Sequence, residues 1–199
     1  MRLSLNKNSL KQQRDHLTMY RRFLPSLDLK RQQLLTAHKA AERELAALEA
    51  ELVNYQQSLE TIFPLLGSST INPDKLSQLV RVGQVLLDEE NVVGTHVPAV
   101  REIKIVRADY SRLSLPFWVD QLADSLEHVA RLRIQLQVNR ARSNKLGAAA
   151  RKITQRVNLF EKVLIPKAES NIKRIGIALS DQERASVVRS KLAKRKHQS

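Results

Sequence analysis

Mostly apolar residues recur at intervals of seven through the first third of the chain, in two series offset by three residues, with polar residues at Asn6, Gln13, Arg31 and His38. The first series consists of Leu3, Leu10, Leu17, Leu24, Arg31, His38, Leu45, Leu52 and Leu59. The second consists of Asn6, Gln13, Tyr20, Leu27, Leu34, Ala41, Leu48, Tyr55 and Ile62. Alternating steps of three and four put these positions on one stripe of a helix, here called the seam, and such a stripe predicts a coiled coil. Pro25 lies just off the seam and predicts a kink or a local break.

A second seam lies near the other end of the chain. Its residues are Leu146, Ala150, Ile153, Val157, Phe160 and Leu164, followed beyond Pro166 by Ala168, Ile172, Ile175 and Leu179. We therefore predict a second long helix from about residue 117 to residue 194. A proline costs about 3 kcal/mol in a helix interior, so Pro166 favours a kink or swivel at this point, with a tolerated break as the alternative.

Residues 63–116 differ in composition from both seams, because they hold three of the five glycines and four of the six prolines. Asn72-Pro73-Asp74 is typical of a helix start and predicts a short helix to about Val82. β-Branched residues around a glycine and a proline predict two short strands, at 92–97 and 100–106, which could pair as a hairpin. Asp88-Glu89-Glu90 predicts a solvated turn.

These elements predict a mainly α fold. Residues 1–62 and 117–199 would form a long antiparallel two-helix coiled coil, because two helices joined by a compact middle segment can bury their seams on each other. Residues 63–116 would form a small middle head with the short helix and the β-hairpin. Both chain ends would then lie at one tip and the head at the other.

Charge is distributed unevenly over this predicted fold. The chain has a formal net charge of +14 and a pI near 10.4. Residues 1–31 carry eight basic and two acidic side chains, whereas residues 74–127 carry six basic and nine acidic ones. The last stretch is also basic, with Arg184, Arg189, Lys191, Lys194, Arg195 and Lys196. We expect the two basic clusters to meet at the same tip.

The sequence contains no constellation of residues that predicts catalysis or a cofactor. Gly67-Ser68-Ser69-Thr70 lacks the lysine and second glycine of a phosphate-binding loop, and the five histidines are scattered rather than spaced as metal ligands. Cysteine is absent. No stretch approaches the roughly 18 consecutive apolar residues of a membrane span, and residues 1–10 lack the apolar core of a signal peptide. We expect a non-catalytic, cytoplasmic protein that does not insert into a membrane.

Two other classes of protein fit the basic coiled coil. One binds nucleic acid, although zinc-finger and RNA-recognition motifs are missing and Trp118 stands almost alone as an aromatic platform. The other is a scaffold that dimerises through the same seams. The basic tail itself has two interpretations, a solvated helix end that complements the helix dipole or a contact with an acidic protein surface.

The second seam resembles the C-terminal helix of the D subunits of V/A-type rotary ATPases, which carries a pattern like R-R-V-N-A-L-E, then I-P, then T-I-x-x-I. The matching residues are Arg156-Val157-Asn158, Glu161, Ile165-Pro166, Ile172 and Ile175, and the departures are Gln155, Leu159-Phe160 and Asn171. The N-terminal helix is similar at Lys7, Leu10, Arg14, Leu17, Leu27, Lys30 and Arg31, with Phe23 and Gln32 as departures. Residues 91–98 resemble the short hairpin of that family.

The resemblance implies a central rotor shaft. In this family the two termini form a coiled coil that enters a hexameric catalytic head of alternating A and B subunits, where all ATP chemistry resides. The middle segment binds the F subunit and the socket subunit on top of the membrane ring, which keeps the chain peripheral to the membrane. The residues expected to contact the hexamer are Arg156, Arg184, Arg189, Lys191, Lys194 and Arg195. Those expected to bind the F subunit or the socket are Val93, Val97, Pro98, Ile103 and Ile105.

Overall fold

The computed structural model describes residues 3–60, 64, 76, 78–109, 116 and 118–197, and of residues 196 and 197 the backbone alone. Its elements are helix α1 (Lys7–Leu59), strands β1 (Val80–Val92) and β2 (Thr95–Arg107), helix α2 (Trp118–Leu159), a π-helical turn (Phe160–Leu164) and helix α3 (Ile165–His197). The predicted mainly α fold with a central antiparallel hairpin is confirmed. The predicted helix start at residues 72–74 and the last seam position, Ile62, lie outside the described residues.

The seam of α1 is visible in its burial. Every position of the two heptad series from Leu10 to Leu59 is buried or partly buried, and Leu34 and Ala41 are 1% and 2% exposed. The second seam is buried as well, since Leu146, Val157 and Ile175 are almost completely buried. The heptad spacing therefore identified the residues that pack, because steps of three and four return to the same helix face.

Helix α1 is not broken at Pro25, which corrects the alternative of a local break. Proline removes one backbone donor, so the carbonyl of Arg21 loses its helical partner. Pro25 is exposed, and water at the helix surface can bond that carbonyl. The 53-residue helix thus tolerates the proline on its outer face.

The chain forms two compact units, and each contains an antiparallel helix pair. Unit 1 comprises Met1–Gln32 and Arg151–Ser199, and unit 2 comprises Gln33–Ala150. In unit 1, the amide of Asn171 donates to Gln13 at 3.1 Å, and the rings of Tyr20 and Phe160 meet edge to face at 5.4 Å. As residue numbers rise along α1, the numbers of the residues that they contact in the C-terminal helical segment fall, so the two segments are antiparallel.

Unit 2 shows the same arrangement between α1 and α2. Arg140 forms an ion pair with Glu49 at 2.7 Å, and the ring centroids of Tyr55 and His128 lie 4.4 Å apart. His128 also approaches Glu51 at 3.7 Å. These contacts again run in opposite directions along the two helices. The division into a coiled coil (1–62 with 117–199) and a middle head (63–116) stays a prediction, because both compact units include parts of both long helices.

The interruption predicted at Pro166 takes the form of the π-helical turn just before it. The backbone N–H of Ile165 bonds to the carbonyl of Phe160, five residues back instead of four. The seam carries the signature of this extra residue, because Phe160, Leu164 and Ala168 follow one another in two successive steps of four. The wider turn absorbs that residue, and Ala168 remains 3% exposed.

The hairpin differs from the prediction in the placement of its strands. Residues 80–82, expected to end a short helix, pair in β1 with residues 105–107, and β-branched Val80 and Val82 suit a strand. Residues 92–97, expected to form one strand, contain the turn instead: β1 ends at Val92 and β2 begins at Thr95. Register shifts follow Val82 and Leu86.

The turn of the hairpin places Val93 in an unusual backbone conformation. Val93 has φ 52° and Gly94 has φ 77°, and positive φ at both central residues is typical of a type I′ turn. The N–H of Gly94 donates to the side chain of Asn91 at 2.8 Å. Gly94 adopts this region freely, but a β-branched residue is strained there.

We predict that Val93→Asn stabilises the chain by about 1 kcal/mol, because asparagine tolerates the left-handed region. Circular dichroism would show a higher thermal midpoint. The matched control is Val106→Asn, an exposed strand valine without positive φ, which should leave the midpoint unchanged or lower it. A lower midpoint for the Val93 variant would contradict the strain argument.

Candidate functional site

The C-terminal part of α3 is a basic helix end that contributes nothing to a core. Every described side chain from residue 181 to residue 195 is exposed. Five of the six basic residues predicted to contact a partner lie here, namely Arg184, Arg189, Lys191, Lys194 and Arg195. Beyond Glu183 the chain contains no acidic residue, so this last stretch carries charge of one sign.

This exposure follows from where α1 begins. Asn6 caps α1 by accepting a hydrogen bond from the N–H of Ser9 at 2.7 Å. Near this start, the side chain of Lys7 reaches Glu183 at 4.0 Å. Residues 3–5 line a groove with Lys167, Asn171 and Arg174 rather than continuing along α3. Within the described residues of unit 1, α3 therefore extends beyond its partner.

The basic helix end also exposes apolar side chains that lie outside the second seam. Val187, Val188 and Leu192 are 55–58% exposed. Val188 and Leu192 are four residues apart and share a face. Arg184, Lys191 and Arg195, spaced by seven and four residues, share the neighbouring face. The signal was available in the sequence, because these apolar residues fall out of step with the seam that ends at Leu179.

Arg156, the sixth predicted contact residue, is exposed but lies apart from the others. It occupies the last turn of α2, beside the buried seam residue Val157. The π-helical turn and the first half of α3 separate it along the chain from Arg184. The structure therefore assembles five of the six predicted basic residues on one helix end and leaves Arg156 outside that cluster.

The residues predicted to bind a partner from the hairpin differ in exposure. Val97 is completely buried and Ile103 is 9% exposed, so both pack within unit 2. Val93, Pro98 and Ile105 are partly buried. The apolar strand residues that the structure exposes are Val82, Leu87 and Val106. Sequence reasoning missed these three because it could not tell which strand positions the helices would cover.

An ionic network holds the base of the hairpin against α2. Arg107 at the end of β2 pairs with Asp124 at 2.7 Å and with Glu127 at 2.6 Å. Arg131 bonds Glu127 at 2.8 Å and donates to the backbone carbonyl of Ile103 at 3.2 Å. Hydrogen bonds from Arg131 and then Arg107 lower the pKa of Glu127 below its ordinary value. The bonds to Glu127 and Asp124 raise the pKa of Arg107.

A second ion pair anchors the hairpin near its turn. Glu90 on β1 lies 3.0 Å from Arg142 on α2, directly across the ladder from the buried Val97. Asp88-Glu89-Glu90 is therefore part of a strand and not the solvated turn expected from its charge, because pairing with residues 97–99 orders it. Contacts from Asp124 to Arg142 show that the hairpin lies alongside α2 within unit 2.

Other kinds of site are not apparent in the described part of the chain. Among those residues, no group of three or more His, Cys, Asp or Glu side chains could hold a metal ion. None of the described helices is long and apolar enough to cross a membrane. Trp118 is 7% exposed and packs with Leu79 and Val119, so its ring is not available for stacking on a base.

Antiparallel helix pairs, a flanking hairpin and an uncovered basic helix end place the chain among helical coiled-coil proteins. A family model described as the D subunit of ATP synthase matches residues 9–195. The chain is 34% identical over 200 residues to the V-type ATP synthase D subunit of Borreliella burgdorferi, covering 97% of this chain and 94% of that protein. It is 32% identical to that of Chlamydia trachomatis, covering 98% and 96%, and 30% identical to that of Chlamydia pneumoniae, covering 98% and 93%.

The chain therefore belongs to the ATP synthase D subunit family. The resemblance seen in the C-terminal seam, the N-terminal helix and the hairpin is confirmed over nearly the whole sequence.

The network around Glu127 predicts a dependence of stability on pH. The pKa of Glu127 is lowered from 4.5 by bonds that exist only in the folded chain. The contribution of Glu127 to the free energy of unfolding is thus present above about pH 4.5 and is lost as the pH falls through the folded-state pKa of Glu127. At pH 7, Glu127→Gln should reduce the free energy of unfolding by about 1 kcal/mol or less, since the partners are part-exposed. Urea titrations should show this difference vanish at acidic pH.

The matched control is Glu102→Gln, because Glu102 pairs with Lys104 at 3.9 Å and both side chains are more than half exposed. That variant should unfold like the wild type at every pH. A difference between wild type and the Glu127 variant that persists unchanged at low pH would contradict an electrostatic role for this carboxylate.

Proposed function

We propose that this chain is the central-stalk rotor subunit of a V/A-type ATPase or ATP synthase. It would transmit rotation between a catalytic hexamer of A and B subunits and the membrane ring that translocates ions. ATP chemistry would reside in the hexamer, and this chain would be non-catalytic. The observation that carries the proposal, beside family membership, is the uncovered basic end of α3.

The basic helix end suits a contact that must shift during rotation. Arg184, Lys191 and Lys194 are exposed on a helix surface. Coulomb attraction to an acidic or carbonyl-lined bearing surface of the hexamer falls off gradually with distance. Such an attraction does not fix one register, whereas a knob seated in a pocket would. We infer that Arg189 and Arg195 act in the same way and that Arg156 makes a separate contact.

The chain would couple rotation to nucleotide binding through its asymmetry. A surface whose faces differ chemically would present a different contact to each of three equivalent catalytic sites. Each orientation then favours one combination of open and closed sites. The coupling free energy is reciprocal, so nucleotide binding turns the rotor and forced turning changes nucleotide affinity.

The hairpin is the proposed contact for the F subunit or the socket of the membrane ring. Val82, Leu87 and Val106 offer exposed apolar surface, and Val93 occupies the turn with a positive φ. Strained backbone residues concentrate at functional positions. In this proposal Val93, Pro98 and Ile105 touch the partner together with the exposed valines and Leu87. The buried Val97 and Ile103 support the hairpin from within unit 2.

Neutralising the basic helix end tests the proposed contact with the hexamer. A variant with glutamine at Arg184, Arg189, Lys191, Lys194 and Arg195 should remain helical, because all five side chains are exposed and none contributes to a core. We expect at least a tenfold weaker recovery of A and B subunits when the tagged chain is purified from its native cells. ATP-driven ion transport should fall with it.

The matched control neutralises five exposed basic residues elsewhere, namely Lys39, Arg43, Arg133, Lys145 and Lys152. It removes the same charge, so a general effect of net charge would weaken both variants equally. Equal recovery and unchanged coupling in the helix-end variant would exclude the bearing role. Recovery of the wild-type chain alone, or with nuclease-sensitive material, would exclude the rotor function itself.

A further inference from the structure

Helices α1 and α2 of unit 2 approach each other closely where His38 meets Gly147. A Cβ atom built on Gly147 would lie 2.6 Å from Nε2 of His38, and 3.2 and 3.3 Å from two carbons of the same ring. Real Cβ atoms do not approach other atoms to 2.6 Å. The imidazole therefore occupies the space that any other residue at position 147 would need.

Each member of this pair is unfavourable when considered by itself. A glycine in a helix interior disfavours folding about fivefold relative to alanine. His38 occupies a seam position that leucine would fill better, and its Nδ1 atom is buried without a hydrogen-bond partner. Glu42 is the acidic residue near its other nitrogen, at 3.8 Å. Two costly residues thus meet at one point of the seam.

The surroundings leave the ring little freedom. Leu34 and Ala41, one helical turn to either side of His38, are 1% and 2% exposed, and Leu146 and Ala150 beside Gly147 are equally buried. Nearly complete burial on both flanks means that a displaced ring would have to move towards solvent. The His38 side chain is already 22% exposed, so a side chain at position 147 would push the ring out of the seam in that direction.

We propose that His38 and Gly147 set the register between α1 and α2. The heptad pattern alone allows the helices to slide by seven residues without losing their seams. Such a slide would place His38 against Arg140 or Thr154, whose Cβ atoms would fill the space that the ring needs. A polar residue at one seam position specifies register at a cost in stability. The contact between His38 and Gly147 lies within the chain, so its role in setting the register does not depend on the proposed rotor function.

A double-mutant cycle tests the pair in the full-length chain. In the His38 background, Gly147→Ala should lower the urea midpoint, because the new methyl group displaces the ring. In the His38→Ala background, the same change should raise the midpoint, because only the gain in helix propensity remains. The proposal is also supported if Gly147→Ala alone prevents folding and the addition of His38→Ala restores it. The proposal is overturned if Gly147→Ala has the same effect in both backgrounds.

Gly176 on α3 provides the matched control, because a Cβ built there meets nothing within 4 Å. Gly176→Ala should raise the midpoint whether residue 38 is histidine or alanine, corresponding to about a fivefold gain in the folding equilibrium constant. A gain of the same size for Gly147→Ala in the wild-type background would exclude the steric conflict.

Cross-linking reports the register directly, since the chain contains no cysteine of its own. Cysteines replacing Tyr55 and His128, whose rings lie 4.4 Å apart, should react with a short bifunctional maleimide. Pairs that join Tyr55→Cys to Gln121→Cys or Gln135→Cys report a slide of seven residues. We expect Gly147→Ala to shift yield from the native pair to a displaced pair, and His38→Ala to reverse the shift. An unchanged distribution of cross-links would overturn the register assignment.

Discussion

A long helix whose apolar residues form one narrow stripe cannot bury that stripe alone, and this constraint organises the whole chain. The stripe of α1 is partly or fully buried from Leu10 to Leu59 because a second helix segment lies against it in each unit. Few aromatic residues are available, so burial depends on many leucines, isoleucines, valines and alanines along the seams. Where the partner ends, near Lys7, burial ends as well, and the basic surface of α3 begins.

Ion pairs attach the hairpin, which the helix seams do not bury, to α2. The hairpin is held alongside α2 by Arg107 and Arg131 around Glu127, and by Arg142 with Glu90. These pairs are part-exposed and individually weak, yet they connect both ends of the hairpin to one helix. At the end of α3, beyond Glu183, the sequence supplies bases and no acidic residue. The paired charges hold the hairpin on α2. The charged residues beyond Glu183 are all basic, and they form the surface that is proposed to contact a partner.

The structure departs from local preference at three kinds of position, each with a separate physical reason. Val93 accepts a positive φ so that a two-residue turn can connect the strands. A π-helical turn before Pro166 absorbs an extra residue and returns Ala168 to the seam. Gly147 weakens α2 locally and leaves room for the ring of His38. In each case the pairing or packing of the surrounding elements outweighs the preference of the residue itself.

Heptad spacing by itself determined the two long helical segments and their seam residues, because a stripe at this period buries only against another helix. The antiparallel pairing of the two segments was predicted from the compact segment that joins them. The charged residues alone show that the last stretch of the chain is basic. Only the tertiary structure decided the register of the helices, the strand limits at Val80 and at the Val93–Gly94 turn, and the pairing of Glu90 with Arg142. It also decided that Val97 and Ile103 face the interior while Val187 and Leu192 face solvent. Helix periodicity depends on residues three and four positions apart, so it can be seen in the sequence. Strand pairing, ion pairs and exposure depend on residues brought together from distant parts of the chain.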